Sequence, residues 1–193
     1  MALWLQTAPA SEPISTSVAK LHLRVDASTD DALIDTLCAA ARRVVETITR
    51  RKCITQTWDL KLDAFPDGAI WLSFPPVTSV TSITYTDTNG DSQTLSSALY
   101  TTDLPPGEES PYARIVPAYQ QVWPQTRDVV NAVTVRFVCG FATAAAVPAA
   151  MMAAMKLLIS HWYENRESVV VGTINSELEQ GLNTLLWPCK VWP

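Results

Sequence analysis

Residues Asp30 to Asp63 read DDALIDTLCAAARRVVETITRRKCITQTWDLKLD, and the hydrophobic period changes once within them. Up to Lys52 the spacing predicts an amphipathic helix. At about 100° per residue, Leu33, Ile34, Leu37, Cys38, Ala41, Val44, Val45 and Ile48 fall within an arc of roughly 140°. The opposite side carries Asp35, Arg42, Arg43, Glu46 and Arg50. Glu46 has Arg42 and Arg50 four residues to either side, so ion pairs can lace what reads as the wet face. From Cys53 the period becomes two: Thr57-Trp58-Asp59-Leu60-Lys61-Leu62-Asp63 alternates as a half-buried strand does.

The alternating pattern continues downstream. Further strands are expected at Ala69–Ser73, Ser79–Thr86, Gln93–Leu95, Leu99–Thr102, Arg114–Val116 and Ala132–Cys139. Phe65-Pro66-Asp67-Gly68 and Asp87-Thr88-Asn89-Gly90-Asp91 carry turn chemistry. Pro75-Pro76 and Pro105-Pro106-Gly107 punctuate the rest. Between Leu62 and Ala113 stand seven acids (Asp63, Asp67, Asp87, Asp91, Asp103, Glu108, Glu109) and no Lys or Arg. Residues 54–143 therefore read as an anionic antiparallel β insertion.

Helical patterns flank it. Ser15 is placed to cap a first helix running to about Arg24, with no acid at the third helical position, where Val18 stands, and so no capping box. After Pro148 a second long helix begins, with Met151, Met152, Met155, Leu158, Ile159, Trp162 and Tyr163 on one arc of about 140° and Leu157 outside it. A helix apolar on more than one side touches more than one neighbour. Past Arg166 the pattern weakens, apart from a short helix around Glu177–Leu186. The expected organisation is an N-terminal arm (1–13), a helical bundle core (14–53 and 144–168), the inserted β subdomain (54–143) and a C-terminal arm (169–193). The fold class is α+β: two long and several short helices, with an antiparallel sheet or sandwich between the long ones.

Composition excludes several functions. With 193 residues, 48% hydrophobic, 17% charged and a net charge of −5, the chain can bury a sizeable core and is neither disordered nor a phosphate-gripping basic protein. The apolar run from Phe137 to Leu158 is broken by Gly140, Pro148 and Lys156, so no membrane span is expected. The start, MALWLQTAPASEP, does not read as a signal peptide. Cys38, Cys53, Cys139 and Cys189 are scattered, and four free thiols in a reducing compartment are expected. The two histidines, His22 and His161, lack partners at metal-ligand spacing. No phosphate loop, dinucleotide fingerprint or nucleophile elbow occurs. Asp30-Asp31 fits the dipole of a helix start, and the DTNGD stretch fits a hairpin turn rather than a calcium loop. No catalytic residue, metal or cofactor is expected. Of the seven tryptophans, Trp58 and Trp71 are expected in strand cores, while Trp4, Trp187 and Trp192 lie in weakly patterned ends.

Ile14-Ser15, Ala19-Lys20, His22-Leu23-Arg24-Val25-Asp26, Asp30 to Ile34 and Ala40-Ala41-Arg42 come in a recognisable order. Gln56-Thr57-Trp58, Phe74-Pro75-Pro76-Val77, Val80 to Tyr85, Trp123-Pro124, Val133 to Phe137, Gly140-Phe141, Val147-Pro148 and Tyr163 to Glu167 follow it. Together they resemble the head–tail connector (adaptor) family of tailed bacteriophages, in its longer, β-inserted branch found in prophages and gene transfer agents.

That resemblance implies a non-enzymatic adaptor in the virion neck, assembled in the bacterial cytoplasm. Its expected form is a ring of about twelve copies beneath the portal protein. The ring would pass genomic DNA through its lumen without sequence-specific binding, and dock a stopper or tail-terminator protein. Leu185, Leu186, Trp187, Pro188, Val191 and Trp192 are then expected to meet the portal or another partner. Arg42, Arg43, Glu46, Arg50, Leu157 and His161 are expected between subunits. The competing expectation is a carbohydrate- or surface-binding β module without catalysis.

Overall fold

The change of period at Cys53 is also where the chain passes from one packing unit to another. A computed structural model describes residues 1–107, 112–165 and 174–192. Its contacts divide the chain into a β unit, Met1–Pro9 with Thr55–Gly140, and a helical unit, Ala10–Ile54 with Phe141–Pro193. The protein is α+β, with four α-helices among the described residues and antiparallel sheets.

The helical unit begins with α1 (Thr16–Leu23), whose first turn is capped by Ser15 Oγ accepting from the Val18 amide at 3.4 Å. α2 (Asp31–Thr49) stops three residues earlier than its period suggests, because Arg50 takes a left-handed conformation at φ 58° and ends it. α3 (Ala149–Glu164) follows Pro148, and α4 (Ile174–Leu186) runs into a short 3-10 turn at Trp187–Cys189. Ile34, Cys38, Ala41 and Val45 of α2 share one core with Met151, Ala154, Met155, Leu158 and Ile159 of α3 and with Leu182, Leu186 and Cys189.

The buried side of α2 is not the one its apolar residues alone define. Arg42, Glu46 and Thr49 are buried beside Ile34, Cys38, Ala41 and Val45, whereas Leu33, Leu37, Val44 and Ile48 are only half-buried. At 100° per residue the buried face is turned roughly 80° toward the charged side. Expecting Arg42 and Glu46 on a wet face is therefore corrected.

In the β unit, β1 (Ala2–Thr7), β2 (Gln56–Leu62), β8 (Val133–Cys139), β4 (Val77–Thr86) and β5 (Ser92–Thr94) form a five-stranded sheet in that order. β3 (Ile70–Leu72), β7 (Ala113–Pro117) and β6 (Tyr100–Asp103) form a second sheet, in that order. All pairings are antiparallel. One core joins Leu60, Ile83, Val133, Val135 and Phe137 of the larger sheet to Ile70, Leu72, Ala113 and Ile115 of the smaller.

Two expected arms are corrected. Ala2–Thr7 is strand β1, paired with β2 from Ala2 opposite Lys61 to Thr7 opposite Thr57. The C-terminal stretch is packed rather than loose: Leu182, Leu186, Cys189 and Val191 are buried. Residues 166–173, expected partly in the helical core and partly in that arm, lie outside the described residues, as do Glu108 and Glu109.

Candidate functional site: exposed surfaces and buried ion pairs

The residues expected between subunits part company in the structure. Arg42 donates to Glu12 through Nε at 2.7 Å and Nη2 at 3.2 Å, and to Glu46 through Nη1 at 3.3 Å. Burial opposes the guanidinium charge, but the Glu12 hydrogen bonds and the Glu46 field outweigh it and hold Arg42 above its ordinary value. Glu46 also accepts from Lys52 Nζ at 3.3 Å and from the Cys53 amide at 3.0 Å. This network is internal, and its geometry matches a structural tie between the segment before α1, the body of α2 and the chain after it. Arg43, Arg50 and Leu157 are exposed, and His161 is half-buried.

The C-terminal residues divide the same way. Val191 N–H donates to the Thr49 carbonyl at 3.0 Å, and Arg51 Nε donates to the Cys189 carbonyl at 2.7 Å. These bonds fasten the terminal turn to the end of α2. Leu186 and Val191 point into the core, Leu185 is half-buried, and Pro188 is exposed. Trp187 and Trp192 stay 63% and 52% exposed, packed edge to face at 5.0 Å. Lys190 Nζ lies 4.6 Å over the Trp192 ring. The result is a fixed aromatic platform, the kind of pre-ordered surface that anchors a protein interface. Sequence reasoning found these tryptophans through their placement, though not the backbone bonds that fix them.

The β unit holds a second surface that sequence reasoning missed. The loop between β7 and β8 exposes Tyr119, Val122 and Val130 at 89%, 83% and 80%. Trp71, expected in a strand core, is exposed on β3 with the Arg114 guanidinium 5.7 Å from its ring. Trp58 is half-buried against Phe74, with ring centroids 4.9 Å apart.

Among the described residues, no group of three or more His, Cys, Asp or Glu side chains could hold a metal ion, and no helix is long and apolar enough to cross a membrane. All four cysteines are buried, and none is in a disulfide.

No protein-family model matches the chain, and no curated protein matches it. Solved structures do match in fold. A chain from the neck of an empty gene transfer agent particle, computed with C6 symmetry, superposes with a TM-score of 0.81 at 22% identity, over 100% of this chain and 97% of that one. A chain from the virion of a native gene transfer agent particle gives the same values. A chain from the neck of a native particle, computed with C12 symmetry, gives a TM-score of 0.76 at 21% identity, over 100% and 97%.

Proposed function

We propose that this chain is a structural neck component of a phage-like or gene transfer agent particle. It serves as a head–tail adaptor, a ring of about twelve copies beneath the portal that extends the DNA channel and gives a stopper or tail-terminator protein its platform. It belongs to the virion neck, is assembled in the bacterial cytoplasm and acts by shape, without catalysis. The observation that carries this reading is the match along the full length of both chains to components of particle necks computed with C6 and C12 symmetry. The net charge of −5 supports it, because a channel through which DNA slides is served by few fixed cations.

Within that reading, Trp187, Pro188 and Trp192 are the portal-facing residues, whereas Leu186 and Val191 act from the core by holding the platform in place. Arg43, Arg50, Leu157 and His161 face neighbouring copies. The test is attachment: the intact chain should co-sediment with portal-bearing capsids, and Trp187→Ala with Trp192→Ala should abolish co-sedimentation while leaving the thermal midpoint within a few degrees. Normal attachment of that double variant would refute the portal assignment. Deleting the whole terminal stretch is a poorer test, because Leu182, Leu186, Cys189 and Val191 are core residues.

A sugar-binding reading would need a row of open aromatic rings. Trp4 and Trp71 are exposed but stand on different sheets, and each faces a cation, Lys61 at 5.2 Å and Arg114 at 5.7 Å. That arrangement favours the adaptor.

A further inference from the structure

The exposed apolar residues between β7 and β8 are held out by a loop whose backbone is pinned at several points. Trp123 Nε1 donates to the Gly68 carbonyl at 2.8 Å, and its ring stacks on Phe65 at 5.0 Å with 6° between the planes. The Arg127 amide donates to the Thr86 carbonyl at 3.1 Å, and the Asn131 amide to Asp63 Oδ1 at 2.8 Å. The β4–β5 turn lies against the same loop. A Cβ on Gly90 would come within 2.4 Å of Arg127 Nη1, so the guanidinium lies close over the turn at the glycine. Three loops thus meet at one end of the β unit, with Tyr119, Val122 and Val130 projecting. Such a patch has little ordering entropy left to lose on docking.

Charge narrows what could cover it. The β unit carries nine acids against four bases, and the helical unit ten of each, so the whole net charge of −5 resides on the β unit. The three connections that meet here carry Asp63, Asp67, Asp87, Asp91 and Asp128 against Arg127. In the helical unit, the last turns of α2 expose Arg43 and Thr47, four residues apart on one face, and Arg50, the left-handed residue that ends the helix, is exposed just beyond them. Of the acids beside it, Glu46 is buried between Arg42 and Lys52, and Glu12 is bonded to Arg42. That strip is cationic and opposite in sign to the loop end.

A closed ring built by rotation needs two different, mutually complementary patches on every copy. We propose that the loop end around Val122 and Val130 in the β unit of one copy docks on the Arg43–Arg50 strip of α2 in a second copy. This rests on the ring reading above and supplies its head-to-tail contact: apolar side chains at the centre, carboxylates at the rim, and guanidinium groups facing them.

The test uses the full-length chain and two charge-reversed variants at exposed positions. One is Asp67→Lys with Asp128→Lys. The other is Arg43→Glu with Arg50→Asp, the aspartate chosen because position 50 is left-handed. Assembly is read by native mass and electron microscopy under conditions where the unmodified chain forms rings, with circular dichroism and thermal melts confirming the fold of each variant. Each variant alone should self-associate at least about tenfold more weakly, since every interface then sets like charges together. An equimolar mixture of the two should restore rings, because every contact regains opposite signs. Val122→Asp with Val130→Asp should also abolish rings, and mixing should not rescue it.

Rings formed undiminished by either charge variant would overturn the proposal and leave the ring reading intact. So would two inactive variants that fail to rescue each other, since the loop end would then serve a different partner. An unmodified chain that never self-associates, with or without portal, would remove the ring reading and this contact together.

Discussion

Arg42 and Glu12 stand thirty positions apart and join through two hydrogen bonds, Nε to Oε2 at 2.7 Å and Nη2 to Oε1 at 3.2 Å. With only 8% of its side chain exposed, Arg42 draws Glu12, Glu46 and, through Glu46, the Cys53 amide into one network. The helical unit is thereby tied at the points where the chain enters and leaves its first two helices.

Removing that guanidinium takes a cation from the buried Glu46 carboxylate, which keeps Lys52 and the Cys53 amide, and leaves Glu12 without its bidentate partner. Arg42→Ala should cost about 3 kcal/mol of stability, the expected scale for breaking a buried pair from one side. Glu12→Gln, which keeps one acceptor, should cost about 1 kcal/mol. Urea denaturation measures both, and an unchanged midpoint for Arg42→Ala would show that the network is incidental.

The thiols should be silent in the native state. Burial first, then the carboxylates of Asp35 and Glu12, push Cys38 up to about 11. Burial and the Glu46 carboxylate raise Cys53 further still. Since only the thiolate reacts, labelling with a thiol reagent at pH 8 should be negligible until denaturant is added, when all four cysteines react. Rapid labelling of folded protein would contradict the packing.

The β4–β5 turn should loosen in acid. Asp87 is held below the usual carboxylate range, first by the Gln93 side chain and then by backbone amides of Asp91, Asn89 and Gly90. A lowered folded value means that the ionised carboxylate favours the turn at neutral pH. This contribution is lost as pH falls below about 4 and through the folded value. Amide exchange at Asn89, Gly90 and Asp91 should therefore show less protection at low pH, and Asp87→Ala should show the reduced protection already at pH 7. Identical protection in the two proteins at pH 7 would exclude the cap.

The apolar loop should depend on its pin. Trp123→Phe preserves a ring against Phe65 but removes the hydrogen bond to Gly68, which should cost about 1 kcal/mol. Faster amide exchange should be confined to residues 118–131 and the β2–β3 loop that Trp123 touches. Uniform loosening of the β unit would show instead that the indole supports the sheets.

How far the sequence discloses this molecule depends on the range of the forces involved. Thr57 to Leu62 alternates because Trp58, Leu60 and Leu62 all pack on the core of their own unit, so the strand is legible locally. The Ser15 cap is legible because its partner, Val18, is three residues away. β1 is not: ALWLQT carries no turn signal and little alternation, and it becomes a strand through pairing with residues fifty or more positions on. Arg42 and Glu46 present the i, i+4 spacing of a surface pair, and only the arrival of Glu12 and Lys52 makes their burial tolerable. For the same reason the candidate surface is half legible. Trp187 and Trp192 stand out in the sequence, but which neighbours face the core depends on the bonds from Val191 to Thr49 and from Arg51 to Cys189.

The most direct measurement is electron microscopy of the purified chain mixed with its portal protein, with rotational symmetry determined from end-on views. The adaptor reading predicts a closed ring of this chain, with twelvefold or sixfold symmetry, stacked coaxially on the portal and open at its centre. Portal particles that remain bare at saturating concentrations of folded, monomeric chain would contradict it.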